Sequence, residues 1–303
     1  MGHTIKRNNI NRNRNIFIFL FTAPTFLLFL VFVLMPIIQG LYYSLFSWSG
    51  LSTSMSFLGF NNYKRLISDS IVWGALKNDL LVAGLRLAFQ LALSLLFSLF
   101  LTRIRVIGNQ LFRNVIFFPV MLSAVIICTV WMMMYNPNFG VISNLYKLVG
   151  LPLPEGGFVG DYRTALLSVV PPAIWCSVGF YMLILISAIE NMPDSIFESA
   201  VIDGTPFWRQ TTAIILPLLR PQINFCVVYM IITSMNGTYL LVKLLTDGGP
   251  NNASQVLGTY MMVNGFQYHQ FGYATAISAL ILAVTLIISG VLNKFFSSEA
   301  YEF

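Results

Sequence analysis

Glu198-Ser199-Ala200-Val201-Ile202-Asp203-Gly204-Thr205-Pro206-Phe207-Trp208-Arg209-Gln210-Thr211-Thr212-Ala213-Ile214-Ile215-Leu216-Pro217 is a polar island set between long hydrophobic runs. Ser195 and Glu198 stand in the S-x-x-E spacing of a capping box, which predicts a short helix from Ser195 through Ile202. Gly204 ends it, because glycine takes the left-handed C′ conformation without a Cβ clash. Thr205 then reads as an N-cap and Pro206 as the first residue of a second short helix, expected to stop near Pro217. Two short helices joined by a glycine turn, held by a membrane anchor on each side, make a rigid knob suited to docking a soluble partner. On local physics alone an ordinary structured loop explains the same residues, since capping boxes are common.

Composition supplies the anchors. Of 303 residues 57% are hydrophobic and only 9% charged, with a mean hydropathy of +0.76. A soluble domain carries about 25% charged residues, so the chain is an integral membrane protein. Cys128, Cys176 and Cys226 each lie inside an apolar run and form no C-x-x-C pair, so small buried hydrophobe is the expected role for each. His3 and His269 are too few and too scattered for a metal site. The net charge of +6 does not point to nucleic acid, because the basic residues cluster beside the apolar runs.

Outward from the island, spans of about 20 apolar residues are expected at Ile16 to Ile38, Trp73 to Leu101, Val115 to Tyr135, Ala165 to Ile189, Ile223 to Leu245 and Phe271 to Phe296. The basic N-terminal stretch before the first run resembles the start of a signal peptide, but the run is too long and lacks an A-x-A-like exit. An uncleaved first span is expected. Six spans put both termini on one side. Lys6, Arg7, Arg12, Arg14, Arg103, Arg105, Arg113, Arg209, Arg220 and Lys294 then lie on that side, against Lys64, Arg65, Lys77, Lys147, Arg163 and Lys243 opposite. This asymmetry predicts cytoplasmic N- and C-termini, and with them a cytoplasmic 198–217 island. The expected layout is a cytoplasmic tail over residues 1–15, a six-helix membrane domain over 16–296 with a cytoplasmic loop at 190–222, and a second tail over 297–303.

Glu198-Ser199-Ala200, two residues, Asp203-Gly204, then Ile215-Leu216-Pro217-Leu218-Leu219 and Pro221 resemble the EAA loop of the membrane permeases of binding-protein-dependent ABC importers. The chain departs from the family pattern at Ser199, Thr205 and Thr211. Further stretches resemble the carbohydrate permeases of the maltose and glycerol-phosphate type: Phe57-Leu58-Gly59-Phe60-Asn61-Asn62-Tyr63, Phe112-Arg113 leading to Phe118-Pro119, Asn136-Pro137-Asn138-Phe139-Gly140, Asp247-Gly248-Gly249-Pro250 and Phe271-Gly272-Tyr273-Ala274. The resemblance implies an all-α ABC type I importer permease fold in a bacterial cytoplasmic membrane. It implies a coupling helix at Glu198, Ser199, Ala200, Asp203, Gly204 and Thr205 that sits in a cleft of a cytosolic ATPase. It also implies a second permease subunit, usually a different chain, two ATPase subunits carrying ATP and magnesium, and an extracytoplasmic solute-binding protein, with alternating access as the mechanism. The expected function is uptake of a sugar, oligosaccharide or related polyol.

Polar residues inside the spans are the candidate pathway. Asp79, Arg86 and Gln90 fall at i, i+7 and i+11 on one helix face. A mid-span charge costs roughly 2.5–3.5 kcal/mol on insertion scales, so Arg86 should face protein or water. It reads either as a substrate-pathway residue or as half of an ion pair or backbone contact between helices. Tyr229, Thr233, Asn236 and Lys243 share a face of the fifth span, supplying ring, hydroxyl and amide to a sugar or, equally, hydrogen bonds for helix packing. Gly272, Ala276, Ala279 and Ala283 read as a packing seam, and Trp131 with Tyr135 as part of an interfacial belt. No G-x-x-x-x-G-K-[ST], no H-E-x-x-H and no nucleophile with a histidine base occurs. The chain therefore reads as a non-catalytic conduit with no cofactor of its own. Two other classes fit less well: an autonomous secondary transporter or channel should show inverted repeats or mid-span acidic relays, and a membrane scaffold needs no polar face inside its spans.

Overall fold

The computed structural model describes residues 2–52, 54–104 and 108–296. Arg105 of the basic tally and the expected tail over 297–303 lie outside them.

The described chain is almost wholly helical. Helix α1 (Gly2–Phe29) passes through a π turn at Leu30–Leu34 into α2 (Met35–Tyr43). A two-residue hairpin pairs β1 (Phe46–Ser47) with β2 (Ser56–Phe57), followed by α3 (Asn61–Ser68) and α4 (Ser70–Arg103). Next come α5 (Asn109–Phe117), a 3-10 turn at Phe118–Met121, α6 (Ala124–Tyr135) and α7 (Val141–Leu148). Short helices α8 (Ala165–Ser168) and α9 (Val170–Trp175) lead to α10 (Val178–Glu190). The island holds α11 (Asp194–Ile202), α12 (Phe207–Gln210), a π turn at Thr211–Ile215 and α13 (Leu216–Leu218). Then α14 (Arg220–Leu245), α15 (Leu257–Met262), a π turn at Val263–Gln267 and α16 (Phe271–Phe296) complete the described fold.

Four helical runs are long and apolar enough to cross a membrane, and six if each of two bent pairs counts as one span. The six-span all-α expectation therefore stands, with two of its spans broken. Asn109–Met121 and Ala124–Tyr135 meet at 104°. Pro119 draws the first half into a 3-10 turn, Leu122 is extended, and Ser123 restarts the helix by accepting the Ile126 N–H. The span expected at Val115 to Tyr135 is thus one of the bent pairs, and its first half begins earlier, at Asn109. Ala165–Trp175 and Val178–Glu190 meet at 41°. Pro171 and Pro172 supply no N–H to this stretch, and Ser177 leaves helical geometry at φ −131°.

Two other prolines do not stop their helices. A π turn ends two residues before Pro36 and another two residues before Pro217, each closed by a bond to a carbonyl five residues back. A proline clashes with the carbonyl four residues before it, and a wide turn relieves that clash. The first span accordingly runs on to Tyr43. The second island helix ends at Leu218, next to the expected end at Pro217, and a turn at Leu219 leads straight on into α14, with Leu219 N–H on the Ile215 carbonyl and Ile223 N–H on the Leu219 carbonyl.

The chain forms two compact units, one from residues up to Leu66 with Asn264–Ala279, the other from Ile67–Val263 with residues from Leu280 on. In the first, buried Asn62 donates to the carbonyls of Ser44 and Phe46. A Cβ on Gly272 would lie 1.9 Å from the Phe46 carbonyl oxygen, so only glycine permits that approach. Gly272 and Ala276 are buried, but Ala283 is exposed, so the expected small-residue seam does not extend along α16.

In the second unit α4 is the hub, packed against α10, α14 and α15. Asp69 caps it by accepting the Ile71 N–H. Its 34 residues span about 50 Å at 1.5 Å per residue, against a hydrocarbon core of roughly 30 Å. Gly179 of α10 lies where a Cβ would come within 2.5 Å of the Ile116 carbonyl oxygen. Cys128 and Cys226 are buried free thiols and Cys176 is half-buried. Tyr135 is buried too, donating to the Ser168 carbonyl at 2.9 Å. It is a packing residue, contrary to the interfacial role expected for it.

Candidate functional site

Two parts of the second unit carry polar or exposed features beyond ordinary packing. The first is the island. Helix α11 begins at Asp194, one residue before the expected start, with Pro193 at its N-cap and no side-chain cap. Ser195 therefore sits inside the first turn, and the expected capping box does not form. Asp194 instead places a negative charge beside the unpaired amides of that turn. The C-terminal end is as the sequence predicts. Gly204 has φ +64°, its N–H bonds to the Val201 carbonyl and the Thr205 N–H to the Ala200 carbonyl, a Schellman closure. Thr205 is thereby used up as the closing residue. Pro206 is the N-cap of α12, and Gln210 Nε2 donates to the Thr205 carbonyl at 2.8 Å.

The island is fastened to the unit along one side. Phe197, Ile215 and Leu219 pack with Ile189 and Met192, against Leu95 and Leu99 of α4. Arg103, the last residue of α4, stacks its guanidinium 3.9 Å from the Phe197 ring centroid and donates to Gln210 Oε1 at 3.2 Å. The other side is bare. Glu198, Ser199, Asp203 and Gly204 are exposed, Ala200 is buried, and Ile202 is 85% and Trp208 73% exposed. Phe197, Glu198, Val201 and Ile202 line an open hollow of about 460 Å³. The sequence singled out the polar letters of this loop, whereas Phe197, Gln210 and Arg103 hold it in place. Arg103 had been read only for its charge.

The second part is a polar line inside the helices. On α4, Asp79, Arg86, Gln90, Ser94 and Ser98 are all buried. Asp79 accepts the Leu257 N–H at 2.8 Å, at the start of α15. Arg86 Nε donates to Gln90 Oε1 at 3.3 Å, and Gln90 Nε2 donates to Ser177 Oγ at 2.8 Å, at the break between α9 and α10. Ser94 Oγ donates to the Val178 carbonyl. The sequence reading missed Ser94 and Ser98, although both continue the four-residue spacing from Arg86 and Gln90.

Arg86 also lines a cavity of about 240 Å³, together with Thr233 and Gly237 of α14, Cys176, and apolar side chains from α6 and α14. Thr233 shares a hydrogen bond with the Tyr181 hydroxyl at 3.2 Å and bonds back to the Tyr229 carbonyl. Of the five expected pathway residues, the structure brings Arg86 and Thr233 to this cavity. Gln90 stands behind Arg86. Tyr229 stacks on Phe225 and adjoins Phe180, and exposed Asn236 bonds back to the Ile232 carbonyl. Lys243, expected on the same face, forms an ion pair with Asp247. Among the described residues no group of three or more His, Cys, Asp or Glu side chains is placed to hold a metal ion.

Comparison with known proteins bears on the family and the fold. The family model described as binding-protein-dependent transport system inner membrane component matches residues 90–298. A probable ABC transporter permease protein of Bacillus subtilis, YurN, is 33% identical over 97% of this chain and 100% of its own length. The diacetylchitobiose uptake system permease protein NgcF of Streptomyces coelicolor is 30% identical over 96% of this chain and 85% of its own. Among solved structures, a bacterial ABC transporter involved in import of the acidic polysaccharide alginate matches with a TM-score of 0.80. It is 23% identical and covers 96% of this chain and 98% of its own, a likeness of fold.

Proposed function

The chain belongs to the inner membrane components of binding-protein-dependent transport systems, and from that premise we propose a specific division of labour for it. It is a multi-pass permease subunit of an ABC importer for a sugar, oligosaccharide or related polyol, in keeping with its likeness to a diacetylchitobiose uptake permease. A binding protein delivers the solute. In our reading a second permease subunit, most simply a different chain, completes the passage, and two cytosolic ATPases bind and hydrolyse ATP with magnesium. No bond of the solute is made or broken on this chain. The tails and the island face the cytoplasm, as the basic asymmetry predicts.

The observation that carries this reading is the island's two-sidedness. Phe197 and Leu219 are buried against α4, while Ile202 and Trp208 are bare. A soluble protein seldom exposes such side chains together unless something covers them. Glu198, Ser199, Ala200, Asp203, Gly204 and Thr205 form the coupling element, and the covering partner is the ATPase. Because α4 carries both Arg103 under the island and Arg86 at the cavity, a shift of α11 reaches the pathway through a single helix. Arg86, Gln90, Tyr229, Thr233 and Asn236 form the pathway face, with Arg86 and Thr233 meeting the solute and Gln90 holding Arg86. Coupling of this kind needs an element with two states that both sites bias, which alternating access supplies.

The test is purification of the tagged chain from its native membrane in mild detergent, with mass spectrometry of every co-purifying protein. A cytosolic ATPase and a second multi-span subunit in fixed ratio are expected. Recovery of the chain alone, under conditions that preserve other membrane complexes, would overturn the assignment in favour of an autonomous transporter.

A further inference from the structure

Arg86 differs from other arginines of this unit in what satisfies it. Arg113 is paired with Glu190 at 2.6 Å, and Arg103 stacks on Phe197 and donates to Gln210. Arg86 is only 6% exposed, yet among the described residues no carboxylate pairs with it, and its hydrogen bond there is the one from Nε to Gln90 Oε1. A guanidinium offers five N–H donors in a planar fork, a geometry that fits carboxylate or phosphate oxygens two at a time. Asp79, about two turns away on α4, accepts the Leu257 N–H and forms no ion pair with Arg86. Gln90 is itself held by Ser177, which fixes the acceptor of Nε.

The fork borders open space. The cavity of about 240 Å³ has Arg86 and the Thr233 hydroxyl as its polar features, set among Val120, Leu122, Ile127 and Leu241. At about 30 Å³ per water it holds roughly eight waters, room for one sugar ring. Apolar walls strengthen a charge pair by excluding water, and they also give a pyranose ring a flat surface to lie on. A neutral sugar offers the fork single hydroxyl acceptors, but neither the charge nor the paired oxygens of a carboxylate or phosphate.

We propose that this cavity receives the anionic group of an acidic saccharide, with Arg86 binding a carboxylate or phosphate oxygen pair, Thr233 bonding a ring hydroxyl and Gln90 acting as the positioning residue for Arg86. The proposal rests on the carbohydrate-permease reading and narrows it to acidic sugars or sugar phosphates.

The experiment uses the complete importer, purified with its partners and held in nanodiscs. Saturation-transfer NMR measures direct contact with three probes of similar size: glucuronate, glucose 6-phosphate and neutral methyl glucoside. With wild type, one or both acids should receive at least several-fold more saturation than methyl glucoside, and the stronger of the two identifies carboxylate or phosphate as the group bound. In Arg86→Gln the acid signal should fall to the neutral level, with subunit composition retained. Arg86→Lys, which keeps the charge but not the fork, should restore it in part. Equal contact with all three probes in wild type, or undiminished acid contact in Arg86→Gln, overturns the proposal and leaves the importer standing. Disassembly of the Arg86→Gln complex overturns it in favour of a structural ion pair with the second permease subunit. Absence of contact with any probe in wild type counts against both the proposal and the saccharide pathway beneath it.

Discussion

The island over Asp194–Leu219 and the polar line of α4 are opposites. On the outer side of the island apolar side chains point out, Ile202 at 85% exposure, while Phe197 and Ala200 of α11 are buried on the other side. In α4 the polar side chains point in, with Gln90 at 0% and Arg86 at 6%. Each inverts what its surroundings reward. Bare Ile202 gains nothing from water, and buried Arg86 gains nothing from hydrocarbon. In the proposed reading, the residues of each region that break the local rule are the ones that receive a partner or a solute. The difference between them is in how much of the region the chain completes itself: α4 binds its polar line through Leu257, Ser177 and Val178, whereas the outer side of the island is left bare.

The strongest way to break the contrast is Gly204→Val. A Cβ there meets no atom within 4 Å, so the obstacle is the backbone alone, at φ +64°. A β-branched residue in the left-handed region costs about 1–3 kcal/mol, enough to undo the turn between α11 and α12. Uptake should fall at least tenfold while the chain still inserts, read by transport assay beside quantitative membrane fractionation. Loss of the chain from the membrane would show the turn to be structural.

Next in size is Gln90→Leu. It removes the acceptor of Arg86 Nε and the donor to Ser177, and a buried donor left unanswered costs about 1–3 kcal/mol. Thermal unfolding of the purified complex should shift down by several degrees. An unchanged midpoint would mean that the polar line is not satisfied from within, and the comparison with the island would lose its second term.

Ile202→Ser should act on the island alone. Removing an exposed anchor from a partner interface costs about 1–2 kcal/mol, so ATPase affinity should weaken roughly tenfold, measured by titration of the ATPase against the permease, with chain stability unchanged. Unaltered affinity would leave Ile202 bare in the complex. The smallest effect belongs to Ser195→Ala. Ser195 lies inside α11 and its side chain is no cap, so stability should stay within about 0.5 kcal/mol. A loss near 1 kcal/mol, the usual worth of an N-cap, would restore the capping box and shift the helix start by one residue.

Much of this was legible from the residues. Runs of 20 or more apolar residues must be helical where no water satisfies the backbone, and α16 begins and ends where composition alone put it. Gly204 was legible because few residues other than glycine take that turn. The helix start at Ser195 was not, since the capping-box letters cannot distinguish a helix that begins one residue earlier at a proline cap. The break at Leu122–Ser123 was hidden for a related reason. From Val115 on, the residues on both sides of it are mostly apolar, and hydropathy does not register a 104° bend.

Periodicity along α4 put Asp79, Arg86 and Gln90 on one face, because a helix repeats every 3.6 residues whatever surrounds it. The membrane class, the helical fold, the family likeness and the left-handed turn likewise belong to the sequence by itself. Only the tertiary structure decided which groups meet that face. Leu257 answers Asp79 and Ser177 answers Gln90 across 178 and 87 residues of chain, while Thr233 joins Arg86 at a cavity and Lys243 turns away to Asp247. Such pairings depend on how helices far apart in sequence cross, which no local pattern encodes.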